Sequence, residues 1–229
     1  MRAPLLIALL IALAPPLMAQ EEARQLTSAC NGGDGMACVR LAQLYAQGIG
    51  VGQDVRSAER LSLLGCDAGA PEGCTQLGRW LLQGLYQSTD QQRAVGLFRR
   101  ACEAGDGNGC NEAALAYEQG TGVNASPGTA LSYGVQACDH RLAQACFRLG
   151  DRYERGVDVA PNPARAAEFY QSGCALAEPN SCIRLAKMYE DGRGVPYDLT
   201  RAIALYHRAC DVGNTFACQV AALRTRGKM

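Results

Sequence analysis

The sequence lacks an excess of charge of either sign and has few aromatic residues and few histidines. Its 22 Lys and Arg residues balance 22 Asp and Glu residues, so the formal net charge is zero. Nucleic-acid-binding proteins usually carry a basic surface that replaces the counterions of the phosphates. We therefore expect no nucleic-acid partner. The two histidines, His140 and His207, are scattered, so the sequence predicts no metal site and no cofactor.

Long hydrophobic runs are also lacking, except at the N-terminus. Arg2 precedes the apolar run Leu5–Leu13, and a small-residue cleavage site ends at Ala19. A membrane span needs about 20 apolar residues, whereas Pro15 and Pro16 and then two glutamates follow this run too early. We therefore predict a signal peptide over residues 1–19, no membrane span in the mature chain, and export to the periplasm or secretion.

Twelve cysteines follow a strict spacing in the rest of the chain. They form Cys-x7-Cys pairs, and each pair begins 36 residues after the previous one, which defines an internal repeat. The pairs are Cys30–Cys38, Cys66–Cys74, Cys102–Cys110, Cys138–Cys146, Cys174–Cys182 and Cys210–Cys218. We expect one disulfide in each pair, because only positions near a connecting turn bring the Cα atoms of two packed helices within about 7 Å. The alternative, a zinc site, usually combines more closely spaced cysteines with histidine.

Each repeat carries the signals of two short helices, called helix A and helix B here. Helix A begins at the second cysteine and ends at a glycine, which tolerates the left-handed backbone of a helix C-terminus. These glycines are Gly48, Gly84, Gly120, Gly156 and Gly192. Helix B follows an N-cap residue, in turn Asp54, Asp90, Ser126, Asn162 and Asp198. Such helices are unstable alone, so stacked pairs must bury a common core.

Two further columns recur between the repeats. An aromatic column in helix A contains Tyr45, Tyr117, Tyr153 and Tyr189, which we predict to pack in the core. A basic column at the start of helix B contains Arg93, Arg165 and Arg201, which we predict to be solvated.

The pattern Leu-(Ala/Gly)-x-x-Tyr-x-x-Gly, followed by a Gly-Val loop and Ala-x-x-Leu/Phe, resembles the Sel1-like repeat, a relative of the tetratricopeptide repeat. With Cys-x7-Cys in every repeat, the chain is similar to the Helicobacter cysteine-rich protein family. The resemblance implies an all-α fold, a right-handed α/α solenoid of disulfide-stapled helix pairs. It also implies that residues 20–229 form one solenoid, with half repeats 21–37 and 218–229 around full repeats 38–73, 74–109, 110–145, 146–181 and 182–217.

Family members are commonly described as penicillin-binding proteins or weak β-lactamases, which implies a β-lactam or a cell-wall-like small molecule as ligand. The residues themselves do not carry this chemistry. No serine has a lysine three residues later, and pairing leaves no cysteine free as a nucleophile. We therefore predict no catalytic residue, and an enzymatic function, hydrolysis of the β-lactam amide, depends on the resemblance alone.

A tetratricopeptide-like superhelix has a concave groove, lined by helix A positions outside the core stripe. The first predicted row contains Val39, Thr75, Asn111, Phe147 and Ile183. The second row contains Gln43, Arg79, Leu115, Asp151 and Lys187. These rows vary between repeats, as is expected of a surface specific for one partner and equally of a surface that binds nothing. The predicted function is an exported, monomeric scaffold that binds a protein or peptide in its groove. The alternative is a β-lactam-binding protein.

Overall fold

A computed structural model describes residues 4–85 and 89–226, and side chains from residue 17 onward within those ranges. Over these residues the chain forms twelve α-helices and no strand. The helices are α1 Pro4–Asn31, α2 Gly35–Gln47, α3 Val55–Asp67, α4 Glu72–Gln83, α5 Gln91–Glu103, α6 Gly107–Gln119, α7 Pro127–Asp139, α8 Ala143–Arg155, α9 Pro163–Ala175, α10 Pro179–Asp191, α11 Leu199–Asp211 and α12 Thr215–Arg226.

The chain divides into two compact units. The N-terminal unit comprises Met1–Glu112 with Thr121–Val123, and the C-terminal unit comprises Ala113–Gly120 with Asn124–Met229. Within the N-terminal unit α1 to α5 pack successively on one another, and within the C-terminal unit α7 to α12 do the same. Each unit is therefore a stack of antiparallel helix pairs.

The helix boundaries follow the predicted capping residues. All five predicted N-cap side chains accept a hydrogen bond from a backbone N–H of the first turn of helix B. The five predicted glycines have φ between 63° and 72°, in the left-handed region. Helix A begins two or three residues before the predicted cysteine, because residues such as Asp34 and Glu178 cap it from further upstream.

Six disulfides join the last turn of one helix to the first turn of the next. The bridged Cα atoms lie 4.4–5.4 Å apart, and every bridge links residues eight positions apart. They connect α1 to α2, α3 to α4, α5 to α6, α7 to α8, α9 to α10 and α11 to α12. The predicted fold class, an all-α solenoid of disulfide-stapled helix pairs, is confirmed.

The N-terminal helix belongs partly to the first stapled pair. Ala23 and Cys30 are buried, and Leu26 packs with them against Leu41 of α2. Over residues 4–85 and 89–226, no helix combines the length and the apolar character that crossing a bilayer requires. The predicted signal peptide ends before this packed segment, and its first three residues lie outside the described residues.

Helix A and helix B pack through side chains of complementary size. An ideal Cβ on Gly150 would lie 2.5 Å from Cδ1 of Tyr170, and one on Gly78 would lie 2.4 Å from Cε1 of Phe98. Both aromatic side chains are fully buried. The absence of a Cβ therefore allows a large ring from helix B to lie directly against the backbone of helix A.

We expect Gly150→Ala to lower the free energy of unfolding by about 1–3 kcal/mol, because the new methyl group overpacks the Tyr170 ring. Gly96→Ala is the matched control, since a Cβ at this helical position meets nothing within 4 Å. The control should gain about 0.5–1 kcal/mol. Urea unfolding of the oxidised variants measures both, and equal effects would contradict the packing argument.

The disulfides should stabilise the stack mainly by restricting the unfolded chain. We expect the double change Cys138→Ala with Cys146→Ala to cost about 2–3 kcal/mol for a loop of this length. Intact-mass analysis supplies the control: reduction should add two hydrogen masses for each of six bridges. An unchanged mass on reduction would show that the wild-type cysteines are not bridged.

Candidate binding surfaces

The first predicted row is deeper in the N-terminal unit than expected. Val39 is 7% exposed and Thr75 is 3% exposed, whereas Gln43 and Arg79 of the second row are exposed. Val39 is buried because its Cγ2 atom occupies the space beside Gly73, where a Cβ would be only 3.0 Å away. The expectation that Val39 and Thr75 lie outside the core is thus corrected.

These residues nevertheless line a cleft of about 320 Å³ in the N-terminal unit. Its lining includes Val39, Thr75, Arg79, Trp80, Asp106 and Asn108. The Thr75 hydroxyl donates a hydrogen bond of 2.6 Å to Oδ2 of Asp106. The other oxygen of Asp106 accepts from the backbone N–H of Asn108 at 2.9 Å. A buried polar network therefore links α4 to the start of α6 at the base of the cleft.

The exposed side of the cleft combines an aromatic and a charged side chain. Trp80 is half-buried and packs against the core cluster around Leu41. Arg79 Nε donates to Oε1 of Glu112 at 2.8 Å, and 45% of its side chain remains exposed. Tryptophan and arginine are the residue types that most often anchor protein interfaces. Trp80 and Asp106 were not predicted from the sequence, although the chain has one tryptophan and Asp106 lies two repeats after the N-cap Asp34.

The middle of both rows falls on helix α6. Asn111 belongs to the N-terminal unit and Leu115 to the C-terminal unit, and both are half-buried. In the C-terminal unit Phe147 and Ile183 are also half-buried. The Phe147 ring lies 5.9 Å from the Tyr170 ring, and Ile183 packs against the Cys174–Cys182 cluster. These apolar row residues therefore also support the core.

The charged row residues of the C-terminal unit lie among ion pairs. Asp151 accepts from Arg155 at 3.2 Å and lies 4.0 Å from Arg184. Lys187 Nζ donates to Asp191 at 3.1 Å and lies 3.6 Å from Glu190. Asp151 is half-buried and Lys187 is exposed. Pairing within the chain leaves a surface of alternating charge with little net charge.

Two glutamates with largely buried side chains, Glu154 and Glu190, recur one repeat apart in the same unit. Glu154 accepts a hydrogen bond from the Tyr170 hydroxyl at 2.7 Å and contacts Arg184 and Arg193. Glu190 accepts from the Tyr206 hydroxyl at 3.1 Å and from Arg224 Nε at 2.6 Å. Each glutamate side chain is only 8% exposed. These contacts join successive helix pairs by charge-assisted hydrogen bonds.

Burial by itself would raise the pKa of Glu190, but hydrogen bonds from Arg224 and Tyr206 outweigh it and hold that pKa below its ordinary value. Burial, together with the neighbouring Glu190 carboxylate, raises the pKa of Tyr206 to about 12. At neutral pH the carboxylate is therefore ionised and the phenol is protonated, which is the arrangement that the hydrogen bond requires.

We expect Glu190→Gln to lower the free energy of unfolding at pH 7 by about 1.5–3 kcal/mol, the scale of a hydrogen bond to a charged group. Because the folded pKa lies below the unfolded one, this contribution is present above the unfolded pKa and is lost as pH falls through the folded pKa. The stability lost in Glu190→Gln should therefore be smaller at acidic pH than at pH 7. Glu168→Gln is the control, since that side chain is 67% exposed. Parallel stability curves for the two variants between about pH 7 and pH 3 would contradict this assignment.

The aromatic column forms stacked pairs in two repeats. Tyr117 and Tyr133 stack with ring centroids 5.6 Å apart, and Tyr153 and Phe169 do so at 5.5 Å. The tyrosines of this column are half-buried.

Two residues of the basic column, which was predicted only to be solvated, also pack against aromatic rings. Arg165 lies 5.5 Å from both Tyr153 and Phe169 centroids.

In the next repeat Arg201 lies 5.7 Å from the Tyr189 centroid. It also donates to the Tyr189 hydroxyl at 3.3 Å. The guanidinium groups nevertheless stay in contact with water, because the Arg165 and Arg201 side chains are 50% and 68% exposed. Arginine and tyrosine columns are therefore coupled between helix B and helix A.

Residues suited to acid–base or metal chemistry are dispersed. His140 lies at the C-terminus of α7 and His207 on α11, and both are exposed. In the part of the chain that the structure describes, no three His, Cys, Asp or Glu residues are grouped as metal ligands would be.

Repeated helix pairs with regular caps define this chain as a protein of the helical-repeat class. The Sel1 repeat family model matches residues 35–69, 71–106, 108–141, 143–177 and 179–214. These segments cover more than half of the chain, so the chain belongs to the Sel1 repeat family. Sel1 repeats generally mediate protein–protein interactions. No curated protein matches the sequence significantly.

Solved structures with similar folds include other Sel1 repeat proteins. A protective antigen of uropathogenic Escherichia coli strains, displaying an SLR fold, has a TM-score of 0.70 and 29% identity over 84% of this chain. This chain spans 41% of that antigen's length. A Sel1 repeat protein from Oxalobacter formigenes gives a TM-score of 0.68 and 24% identity, covering 86% of this chain and 87% of its own. Helicobacter pylori cysteine rich protein B gives a TM-score of 0.45 and 27% identity, covering 58% of this chain and 95% of its own.

The six disulfides indicate an oxidising, extracytoplasmic location.

Proposed function

We propose that this chain is an exported Sel1 repeat scaffold that binds a protein or peptide partner through its helix A rows. The cleft of the N-terminal unit is the observation that carries the proposal. It combines a buried apolar floor at Val39, a buried polar network at Thr75 and Asp106, and the potential anchors Trp80 and Arg79. An extended segment could place an apolar side chain in the cleft and be oriented by the charges at its edge.

Export is the second part of the proposal. The apolar segment over residues 1–19 has the composition of a signal peptide, and its removal would leave the packed residues from Ala23 onward intact. The disulfides need an oxidising compartment, which the periplasm or the outside of the cell supplies. No observation on the described residues favours the β-lactam-binding alternative, so it is not part of the proposal.

The cleft can be tested by reversing the charge at its edge. We expect Arg79→Glu to weaken capture of the native partner from envelope or secreted fractions about tenfold, the loss typical of an interface anchor. Arg60→Glu is the matched control, because this exposed side chain on α3 is not part of the cleft lining. Mass spectrometry identifies the captured protein, and circular dichroism checks that both variants fold.

Equal capture by the two variants would overturn the assignment of the cleft. Loss of capture by both variants alike would indicate binding by overall charge rather than by this surface.

A further inference from the structure

A stretch that includes most of the third full repeat lacks basic residues. Residues 101–139 contain no lysine, arginine or histidine, although the chain has 22 basic residues in total. Five acidic residues fall in the same stretch: Glu103, Asp106, Glu112, Glu118 and Asp139. Glu103 and Asp139 are exposed. In the C-terminal unit, which holds Asp139, a partner segment that contacts this exposed carboxylate would gain from positive charge.

The same repeat has an aromatic pair without the arginine that accompanies such rings later in the chain. The column that holds Arg165 and Arg201 in the next two repeats holds Thr129 here. Thr129 Oγ1 is hydrogen-bonded to the N-cap Ser126 Oγ at 2.8 Å. Arg148 and Arg152 of the following repeat form ion pairs with Glu118 at 3.3 and 2.6 Å. The half-buried pair Tyr117–Tyr133 thus has a neutral residue at the column position that holds arginine in the next two repeats.

We propose that the Tyr117–Tyr133 pair is a docking platform for an arginine side chain of a basic partner segment. The fourth full repeat shows the geometry, with the guanidinium carbon of Arg165 5.5 Å from each ring of a stacked pair. Arginine is preferred to lysine because its planar guanidinium stacks on aromatic faces. This proposal rests on the proposed function, protein binding, and specifies that the bound segment of the partner is basic and contains arginine.

The test uses capped peptides, so no natural partner is required. Acetyl-Gly-Arg-Gly-amide is titrated into oxidised protein carrying labelled tyrosine, and the ring resonances are followed by NMR at low salt. We expect saturable shifts at Tyr117 and Tyr133. The neutral citrulline peptide, which has nearly the same shape, should give no saturable shift. Saturable shifts of equal size with both peptides, or none with arginine up to its solubility limit, would overturn the proposal.

Variants separate stacking from overall charge. Thr129→Arg supplies the arginine from within the chain and should weaken peptide binding about two- to fivefold. Gly128→Arg is the matched control: it adds the same charge at an exposed position where a Cβ meets nothing within 4 Å. This control should bind like wild type. Arg165→Thr should create a second platform, seen as new shifts at Tyr153.

Equal weakening by Thr129→Arg and Gly128→Arg would overturn the platform, because the effect would then be general repulsion. No gain at Tyr153 in Arg165→Thr would also contradict it. These results are independent of the capture experiment with Arg79→Glu. A failed platform with successful capture would leave the proposed function standing, and the reverse result would locate partner binding away from the cleft.

Discussion

The close approach of neighbouring helices at their connecting turns is the constraint on which the rest of the structure depends. A disulfide requires Cα atoms within about 7 Å, and the six bridges hold them at 4.4–5.4 Å. Such proximity is compatible with helix packing only if small residues line the contact. Gly73 and Gly109 meet this need, since a Cβ on either would come within 2.5 Å of the preceding helix.

Contacts between successive repeats rely on charge as well as on apolar packing. Arg79–Glu112, Arg152–Glu118 and Arg224–Glu190 each join residues roughly one repeat apart. Exposed ion pairs contribute little, but the Glu190 side chain is 8% exposed and also accepts from Tyr206. A pair of this kind fixes the register of one helix pair on the next, because an unpaired buried carboxylate is costly.

Much of the fold could be predicted from the sequence because its signals are local. Asp54 and Asn162 cap their helices through the turn that directly follows them. Gly192 ends its helix because it can adopt a positive φ. The cysteine spacing likewise reports a contact across one turn. Burial of Val39 and Thr75 could not be predicted, because it depends on the distance between neighbouring helices. The stacking of Arg165 on Tyr153 joins two helices across a loop, and a column of arginines by itself predicts only an exposed position.

The repeat also separates structural features from functional ones. Features present in every repeat, such as the bridge and the caps, are sufficient to explain the fold. When one residue of a column is replaced but the residues that it contacts in other repeats are kept, stability of the fold does not explain the replacement. Thr129 is such a position, because Tyr117 and Tyr133 keep the stacked geometry that Tyr153 and Phe169 show beside Arg165. Replacement of the arginine by Thr129 leaves the tyrosine pair without a cation from residues 101–139, because these 39 residues include no basic side chain. A cation supplied by a partner accounts for both the retained rings and the missing charge.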